Sequence, residues 1–158
     1  MTHEEVVQEI LHEEATGWQA LLAALEGLSD EDWLLPGAAG EWTLKNVAAH
    51  LCSWQEETLT VLPDMARQII AGVKEPRRYD IDAWNTEQAA QRQAQSLAEV
   101  REKLHTTRAA LLAMIQRIPA EWLTTYKFMR NWIAAVTYQH YEEHTEMIQA
   151  WRAAARAN

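Results

Sequence analysis

Basic residues and cysteine are scarce in this chain of 158 residues, and each shortage excludes a class of protein. Its 14 lysines and arginines are outnumbered by 23 acidic residues, which gives a formal net charge of −9. A protein that binds nucleic acid needs a basic surface for phosphate, so we expect no nucleic-acid partner. The single cysteine, Cys52, excludes an intramolecular disulfide and fits a reducing compartment, so we expect a cytoplasmic protein.

Long apolar runs are also missing. No segment approaches the about 20 apolar residues that span a bilayer, and the acidic N-terminal segment has no signal-peptide core. We therefore expect no membrane partner. The length suits a single domain with one substantial core, which we assign to residues 1–158.

The abundant residues, Ala, Leu, Glu and Gln, favour helices, and the few Gly and Pro residues fall at discrete breaks. Capping residues, breakers and hydrophobic periodicity delimit four long helices. These run from Thr2 to about Glu26, from Thr43 to Val73, from Asp82 to about Arg117, and from about Met129 to Ala155. Pro63 should kink the second helix or start a new one. The pattern predicts an all-α four-helix bundle, mainly antiparallel, with short extra helical turns in the connections.

Three histidines lie on the apolar stripes of two of these helices. His140 and His144 are four residues apart, so they occupy one face of the last helix. His50 lies on the apolar stripe of the second helix, between Val47 and Trp54. One divalent ion could bind all three imidazoles and keep a position open for water or substrate. Spacing alone equally allows His50 to bond a carbonyl or carboxylate while the other two flank the bundle rim.

Other candidate residues give weaker signals. Glu57 lies two turns beyond His50 and could support catalysis as a general base or as a partner of a ligand, although a solvated glutamate beside Glu56 is the plainer interpretation. Cys52 should point about 200° away from His50 and pack as a small hydrophobe. Imidazole ligands suit zinc first, and ligand type also allows nickel, iron or manganese.

The segment that carries His50 resembles the hallmark of the DinB/YfiT-like superfamily. That hallmark is a Gly-x-Trp-Ser/Thr pattern leading into a helix with His-Leu and then Trp, which here is Gly40-Glu41-Trp42-Thr43, His50-Leu51 and Trp54. His140 and His144 match the superfamily's His-x-x-x-His on the last helix. The resemblance implies a four-helix bundle, often a homodimer, with a three-histidine metal centre.

Two further stretches look more like the ClbS/DfsB branch of that superfamily. They are Asp82-Ala83-Trp84-Asn85, followed by a Gln- and Ala-rich helix, and the turn Pro119-Ala120-Glu121-Trp122. In that branch the histidine triad is often lost, and metal-free hydrolysis or ligand sequestration is described. This chain keeps all three histidines, which favours the metal-binding branch.

The resemblance leads to a main hypothesis and two alternatives. The first is a metal-dependent transferase or hydrolase acting on a small electrophile, with zinc or nickel and a low-molecular-weight thiol supplied from outside the chain. The second is a metal-free binding, hydrolase or resistance protein. Its pocket would be formed by Trp42, Trp54, Trp84, Asn85 and Trp132. The third is an obligate dimer with a vestigial pocket, which would associate through exposed apolar positions of the first and third helices.

Overall fold

The computed structural model describes residues 2–157, and helices supply its regular structure. They are α1 (His3–Leu25), α2 (Asp30–Trp33), α3 (Leu44–Ala71), α4 (Ile81–Arg92), α5 (Leu97–Ile115), α6 (Ala120–Thr125), α7 (Lys127–Val136) and α8 (Tyr138–Arg156). The most extensive packing joins α1 to α8 and α3 to α5, while α4 and α7 pack on α3. The predicted all-α four-helix bundle is confirmed, with α2 and α6 as extra turns in its connections.

Short side chains before the helices fix where several of them start. Thr43 caps α3: its hydroxyl accepts from the Asn46 amide at 3.1 Å, and the Asn46 side-chain oxygen accepts from the Thr43 amide at 2.9 Å. This reciprocal pair satisfies two amides that no helical carbonyl can reach. The helix then continues through Pro63 to Ala71, so Pro63 does not start a new helix.

The single third helix expected from Asp82 to Arg117 is wrong, because residues 93–96 divide it into α4 and α5. Ser96 ends the division by capping α5. Its hydroxyl accepts from the Glu99 amide at 3.1 Å, and the Glu99 carboxylate accepts from the Ser96 amide at 2.6 Å. Ser96 and Glu99 form the same capping box that marks Thr2 and Glu5 in the sequence.

The single last helix expected from Met129 to Ala155 is also wrong, because Thr137 separates α7 from α8. Its backbone angles of φ −118° and ψ −108° leave the helical region. Its buried hydroxyl donates to the Ile133 carbonyl at 2.6 Å beside its own amide at 3.1 Å, and a hydroxyl bond of this kind often bends a helix. His140 and His144 both follow this break, so they remain together on α8.

A polar layer lies between two apolar clusters of the core. One cluster is centred on Trp18, Leu51 and Leu104, and the other on Ile10, Leu62 and Leu111. The layer contains one side chain from each long helix of the bundle, and these are Glu14 (α1), Gln55 (α3), Arg108 (α5) and Tyr141 (α8).

Glu14 is the centre of this layer and is 1% exposed. Arg108 donates to both of its carboxylate oxygens at 2.7 Å. Tyr141 donates to the same carboxylate at 3.2 Å, and the Gln55 amide donates to the Tyr141 hydroxyl at 2.6 Å. A bidentate, charge-assisted pair offsets much of the cost of burying the carboxylate.

Six large apolar side chains are exposed among residues 2–157. They are Leu34, Leu35, Ile70, Val73, Ile81 and Phe128. Ile81 begins α4 and none of the six lies on α1, while the apolar dimer interface expected on the first and third helices stays a prediction. Within residues 2–157, no helix is both long and apolar enough to cross a membrane.

Candidate metal centre

His50, His140 and His144 meet between α3 and α8. One ring nitrogen of each histidine lies within 4.8 Å of a ring nitrogen of the other two. The Nε2 atoms of His50 and His140 are 2.9 Å apart, and the ring centroids of His50 and His144 are 5.2 Å apart. The structure therefore brings together the three histidines that the sequence singles out.

The ring nitrogens of these histidines are poorly satisfied by the protein. His144 is 5% exposed, and neither of its nitrogens has a hydrogen-bond partner within residues 2–157. The Nδ1 atoms of His50 and His140 are buried in the same way. A buried polar group without a partner costs about 1–3 kcal/mol. Converging imidazoles with free nitrogens fit a divalent cation, for which imidazole is a common ligand.

All three imidazoles are held in the neutral form. Burial lowers the pKa of His50 to about 4, and the neighbouring His144 adds to this effect. Burial lowers the pKa of His140 to about 2, with further contributions from His144 and His50. Burial also lowers the pKa of His144, although Glu143 opposes the shift. Neutral imidazole is the form that binds a metal, so the site needs no proton release at pH 7.

A cavity of about 500 Å³ opens onto the triad. Its volume lies in the range typical of small-molecule sites, roughly 300–1,000 Å³. Apart from the histidines, its wall comprises Trp54, Tyr79, Ile81, Asn85, Trp132, Ala135, Val136 and Glu143. The wall is mainly apolar and aromatic, with few polar groups beside the histidines.

Trp54, Tyr79 and Trp132 form an aromatic wall on one side of the cavity. Their ring centroids are 5.3 Å (Trp54–Tyr79), 5.6 Å (Tyr79–Trp132) and 6.3 Å (Trp54–Trp132) apart. Each indole also has a hydrogen-bond partner: Trp54 donates to Asn85 Oδ1 at 2.9 Å and Trp132 to Thr58 Oγ1 at 3.0 Å. Packing and hydrogen bonds together hold the rings in place before any ligand arrives.

The five residues expected to form the pocket divide into two groups. Trp54, Asn85 and Trp132 line the cavity. Trp42 instead packs on the His50 ring at 5.2 Å between centroids, and Trp84 packs on Trp54 at 5.4 Å, both outside the lining. Trp42 therefore packs against the ring of His50, and Trp84 packs against Trp54 of the aromatic wall.

Glu57 belongs neither to the histidine cluster nor to the cavity lining, and its carboxylate is engaged by the protein rather than freely solvated. The Tyr79 hydroxyl donates to its carboxylate at 2.6 Å and Arg77 donates to it at 2.9 Å. Burial and this hydrogen bond raise the pKa of Tyr79 to about 12, which keeps its hydroxyl protonated. Glu57 therefore positions Tyr79 in the aromatic wall.

Tyr79, Ile81 and Glu143 line the cavity although they were not among the expected site residues. Tyr79 follows the Gly- and Pro-containing break after α3, where no helical periodicity indicates a direction. Glu143 immediately precedes His144 in sequence, a position from which it can face the same cavity. Its exposed side chain is the only carboxylate in the lining among the residues described.

Cys52 is close to His50 in sequence but does not belong to the triad. It is 1% exposed and lies in the apolar cluster around Leu51 and Leu104. Burial, reinforced by Glu56, raises the pKa of its thiol to about 12. A neutral, buried thiol is a poor nucleophile and a poor ligand.

Comparison with known proteins places this bundle in a family. The model of the DinB superfamily matches residues 15–148. The solved structure titled "Sibling Lethal Factor Precursor - DfsB" is similar, with a TM-score of 0.74 and 17% sequence identity, over 99% of this chain and 98% of that chain. At that identity the likeness shows a shared fold. No curated protein sequence matches the chain. The family match covers most of the chain, including all three histidines, and the chain belongs to the DinB superfamily.

Proposed function

We propose that this chain is a metal-dependent enzyme whose divalent cation is held by His50, His140 and His144. The reaction is thiol-dependent transfer to, or hydrolysis of, a small electrophilic molecule. The observation that carries this proposal is the approach of three neutral imidazoles to within 4.8 Å at the end of a cavity. Zinc or nickel suits this ligand set.

The cation supplies Lewis acidity, which favours the deprotonated form of a thiol or water nucleophile. The protein supplies the binding surface. Trp54, Tyr79 and Trp132 contact the apolar part of the substrate and exclude water from the cavity. Asn85 Oδ1 accepts from Trp54, while its amide N–H groups have no protein partner among the residues described and can donate to the substrate.

A thiol nucleophile would come from a separate small molecule. Cys52, the single cysteine of the chain, is buried, and its pKa is raised to about 12. The cavity of about 500 Å³ has room for a substrate and part of a thiol cofactor. Hydrolysis needs only water at the same position. Comparing turnover with and without an added low-molecular-weight thiol separates the two reactions.

Metal analysis of protein purified without an affinity tag tests the site. We expect about one equivalent of zinc or nickel in the wild type and a loss of most of it in His140→Ala. His12→Ala is the matched control, because His12 is exposed on α1, and it should keep the metal. A His140→Ala protein with unchanged metal content and thermal stability would overturn the proposal.

A metal-free binding protein of the ClbS/DfsB kind is the second candidate function. The aromatic wall favours it, because three contacting rings can hold an apolar molecule without a metal. We then expect the naphthalene dye ANS to bind with a change in Trp fluorescence that a chelator does not reverse. Under the metal-enzyme proposal, a chelator abolishes turnover.

We propose in addition that the protein is a cytoplasmic homodimer, on the basis of the superfamily resemblance and the single cysteine. Sedimentation at several protein concentrations measures the stoichiometry. A species that sediments at the mass of one chain at every concentration contradicts the dimer. Fractionation of the cells that produce the protein tests its location.

A further inference from the structure

A second cavity, of about 580 Å³, lies on the other side of Trp132 from the triad. The end of α3, residues 72–77 and the start of α7 enclose it, and Trp132 belongs to the walls of both cavities. The volume is within the range of small-molecule sites, roughly 300–1,000 Å³. The three histidines take no part in it.

The surface that this second cavity offers to a ligand is largely apolar. Its main apolar side chains are Val61, Met65, Ile69, Tyr126, Phe128 and Trp132. Phe128 is 40% exposed and Val73, also in the lining, is 49% exposed. Large apolar groups that remain partly exposed around a concave surface mark a binding site for apolar matter.

Two polar side chains of the lining, Asp64 and Gln68, are already engaged by the protein. Asp64 accepts from Arg67 at 2.9 Å and from Gln68 at 3.2 Å. Gln68 also accepts from the Glu75 amide at 2.8 Å and donates to the Glu75 carbonyl at 3.1 Å. These groups therefore shape the cavity, and few of their hydrogen-bonding sites remain for a ligand.

Lys74 is the exception among the charged groups of the lining. Arg77 is paired with Asp64 at 3.4 Å and with Glu57 at 2.9 Å. Lys74 is exposed, and within residues 2–157 it has no carboxylate at ion-pair distance. The cavity thus combines an apolar interior with one unpaired positive charge at its edge.

We propose that this second cavity binds the hydrocarbon chain of an anionic amphiphile, with its carboxylate paired to Lys74. An unbranched chain suits the interior because the lining is largely apolar and the side chains of Asp64 and Gln68 are already engaged by the protein. The negative head group matches the unpaired ammonium. This site is independent of the proposed metal chemistry and stands or falls on separate measurements.

Calorimetric titration with straight-chain carboxylates tests the apolar interior. We expect one equivalent of decanoate to bind, about fifteenfold more tightly than octanoate, because each of its two additional methylenes contributes roughly fourfold in affinity when buried. Met65→Trp, which fills the cavity, should weaken decanoate binding at least about tenfold. Leu35→Trp, an apolar surface site elsewhere that is 50% exposed, is the matched control and should not change it.

Comparison of decanoate with neutral 1-decanol tests the charge. Lys74→Glu should weaken decanoate binding several-fold and leave 1-decanol binding within about twofold of wild type. Because Lys74 is exposed, this variant remains informative even if Met65→Trp does not fold. Equal losses for both ligands would overturn the assignment of the head group to Lys74.

Three results would overturn the proposal as a whole. One is the absence of saturable decanoate binding up to about 1 mM, measured by calorimetry at two temperatures because apolar burial can be athermal near 25 °C. Another is equal binding by wild type and a folded Met65→Trp. The third is a dimer that Met65→Trp dissociates, which would show that a second copy of the chain covers the cavity. His140→Ala should bind decanoate within about twofold of wild type, so failure of the metal site and failure of this one are distinguishable.

Discussion

The Nε2 atoms of His50 and His140 lie 2.9 Å apart, although the two residues are 90 positions apart in sequence. At this separation one ring must donate a hydrogen and the other must accept it. Two neutral imidazoles can satisfy each other in this way, but His144 is then left without a partner. A cation bound by all three histidines would give His144 a partner as well. The arrangement of the three rings therefore indicates a metal centre more strongly than the sequence spacing of the histidines does.

Zinc should stabilise the folded protein by mass action. At a free zinc concentration 100-fold above the Kd, we expect the free energy of unfolding to rise by about 2.7 kcal/mol. Urea denaturation with zinc or with a chelator measures the difference. His50→Ala should abolish it and His12→Ala should preserve it. Equal stabilisation of His50→Ala would show that zinc binds elsewhere.

Acid should weaken the contact of α3 with α4 and α5 through Glu56. Burial opposes ionisation of this carboxyl, but hydrogen bonds from Arg92 and Lys103 prevail and lower its pKa below the ordinary 4.5. Below that value the unfolded chain takes up the proton first. The stabilisation is therefore complete above about pH 4.5 and lost as pH falls through the folded-state pKa.

Glu56→Gln should consequently show a flatter decline in stability between about pH 5 and pH 3 than the wild type. Chemical denaturation at a series of pH values measures this slope. Glu142→Gln, a change at an exposed glutamate on α8, is the control and should retain the wild-type slope. If the Glu56→Gln slope equals that of the wild type, the ion pairs with Arg92 and Lys103 do not contribute.

Loss of the buried ion pair should cost far more than loss of a surface pair. Arg108→Met leaves the Glu14 carboxylate, 1% exposed, without its charged partner, and we expect a loss of about 3–5 kcal/mol. Arg67→Met removes an exposed pair with Asp64 and should be neutral. The double change Glu14→Leu with Arg108→Met should recover much of the loss. Urea unfolding of the four proteins provides the comparison.

The hydrogen bond by which Thr43 caps α3 should stabilise the protein independently of the packing of the Thr43 methyl group. Thr43→Ala removes the hydroxyl that accepts from the Asn46 amide, and we expect a loss of about 1 kcal/mol in the free energy of unfolding. Thr43→Ser keeps the hydroxyl and should remain close to wild type. A Thr43→Ser protein as unstable as Thr43→Ala would attribute the effect to the lost methyl group instead.

The histidine triad could be predicted because the spacing of residues along a helix determines which face of the helix each side chain occupies. His140 and His144 lie one turn apart whatever surrounds them, and the apolar neighbours of His50 turn it toward the core. The break before α5 could also have been predicted. Ser96 and Glu99 carry the same capping-box pattern as Thr2 and Glu5 at the start of α1.

Other features depend on contacts that no local pattern encodes. The break at Thr137 is accompanied by a hydroxyl bond to the Ile133 carbonyl, which threonine within a helix does not always make. Tyr79 reaches the cavity because Glu57, 22 positions earlier, accepts its hydroxyl hydrogen. The lining of the second cavity likewise joins α3 to α7, which are distant in sequence.

The polar layer around Glu14 has a consequence for how the chain chooses one arrangement of its helices. Bundles of opposite handedness, or with one helix shifted by a turn, can bury similar apolar area and are natural competitors of the native state. In any of them Glu14 would enter the interior away from Arg108, Tyr141 or Gln55. An uncompensated buried carboxylate costs several kcal/mol, a large fraction of the total stability of a domain. The burial of Glu14 therefore raises the free energy of bundles in which the helices are wrongly arranged, relative to the native bundle.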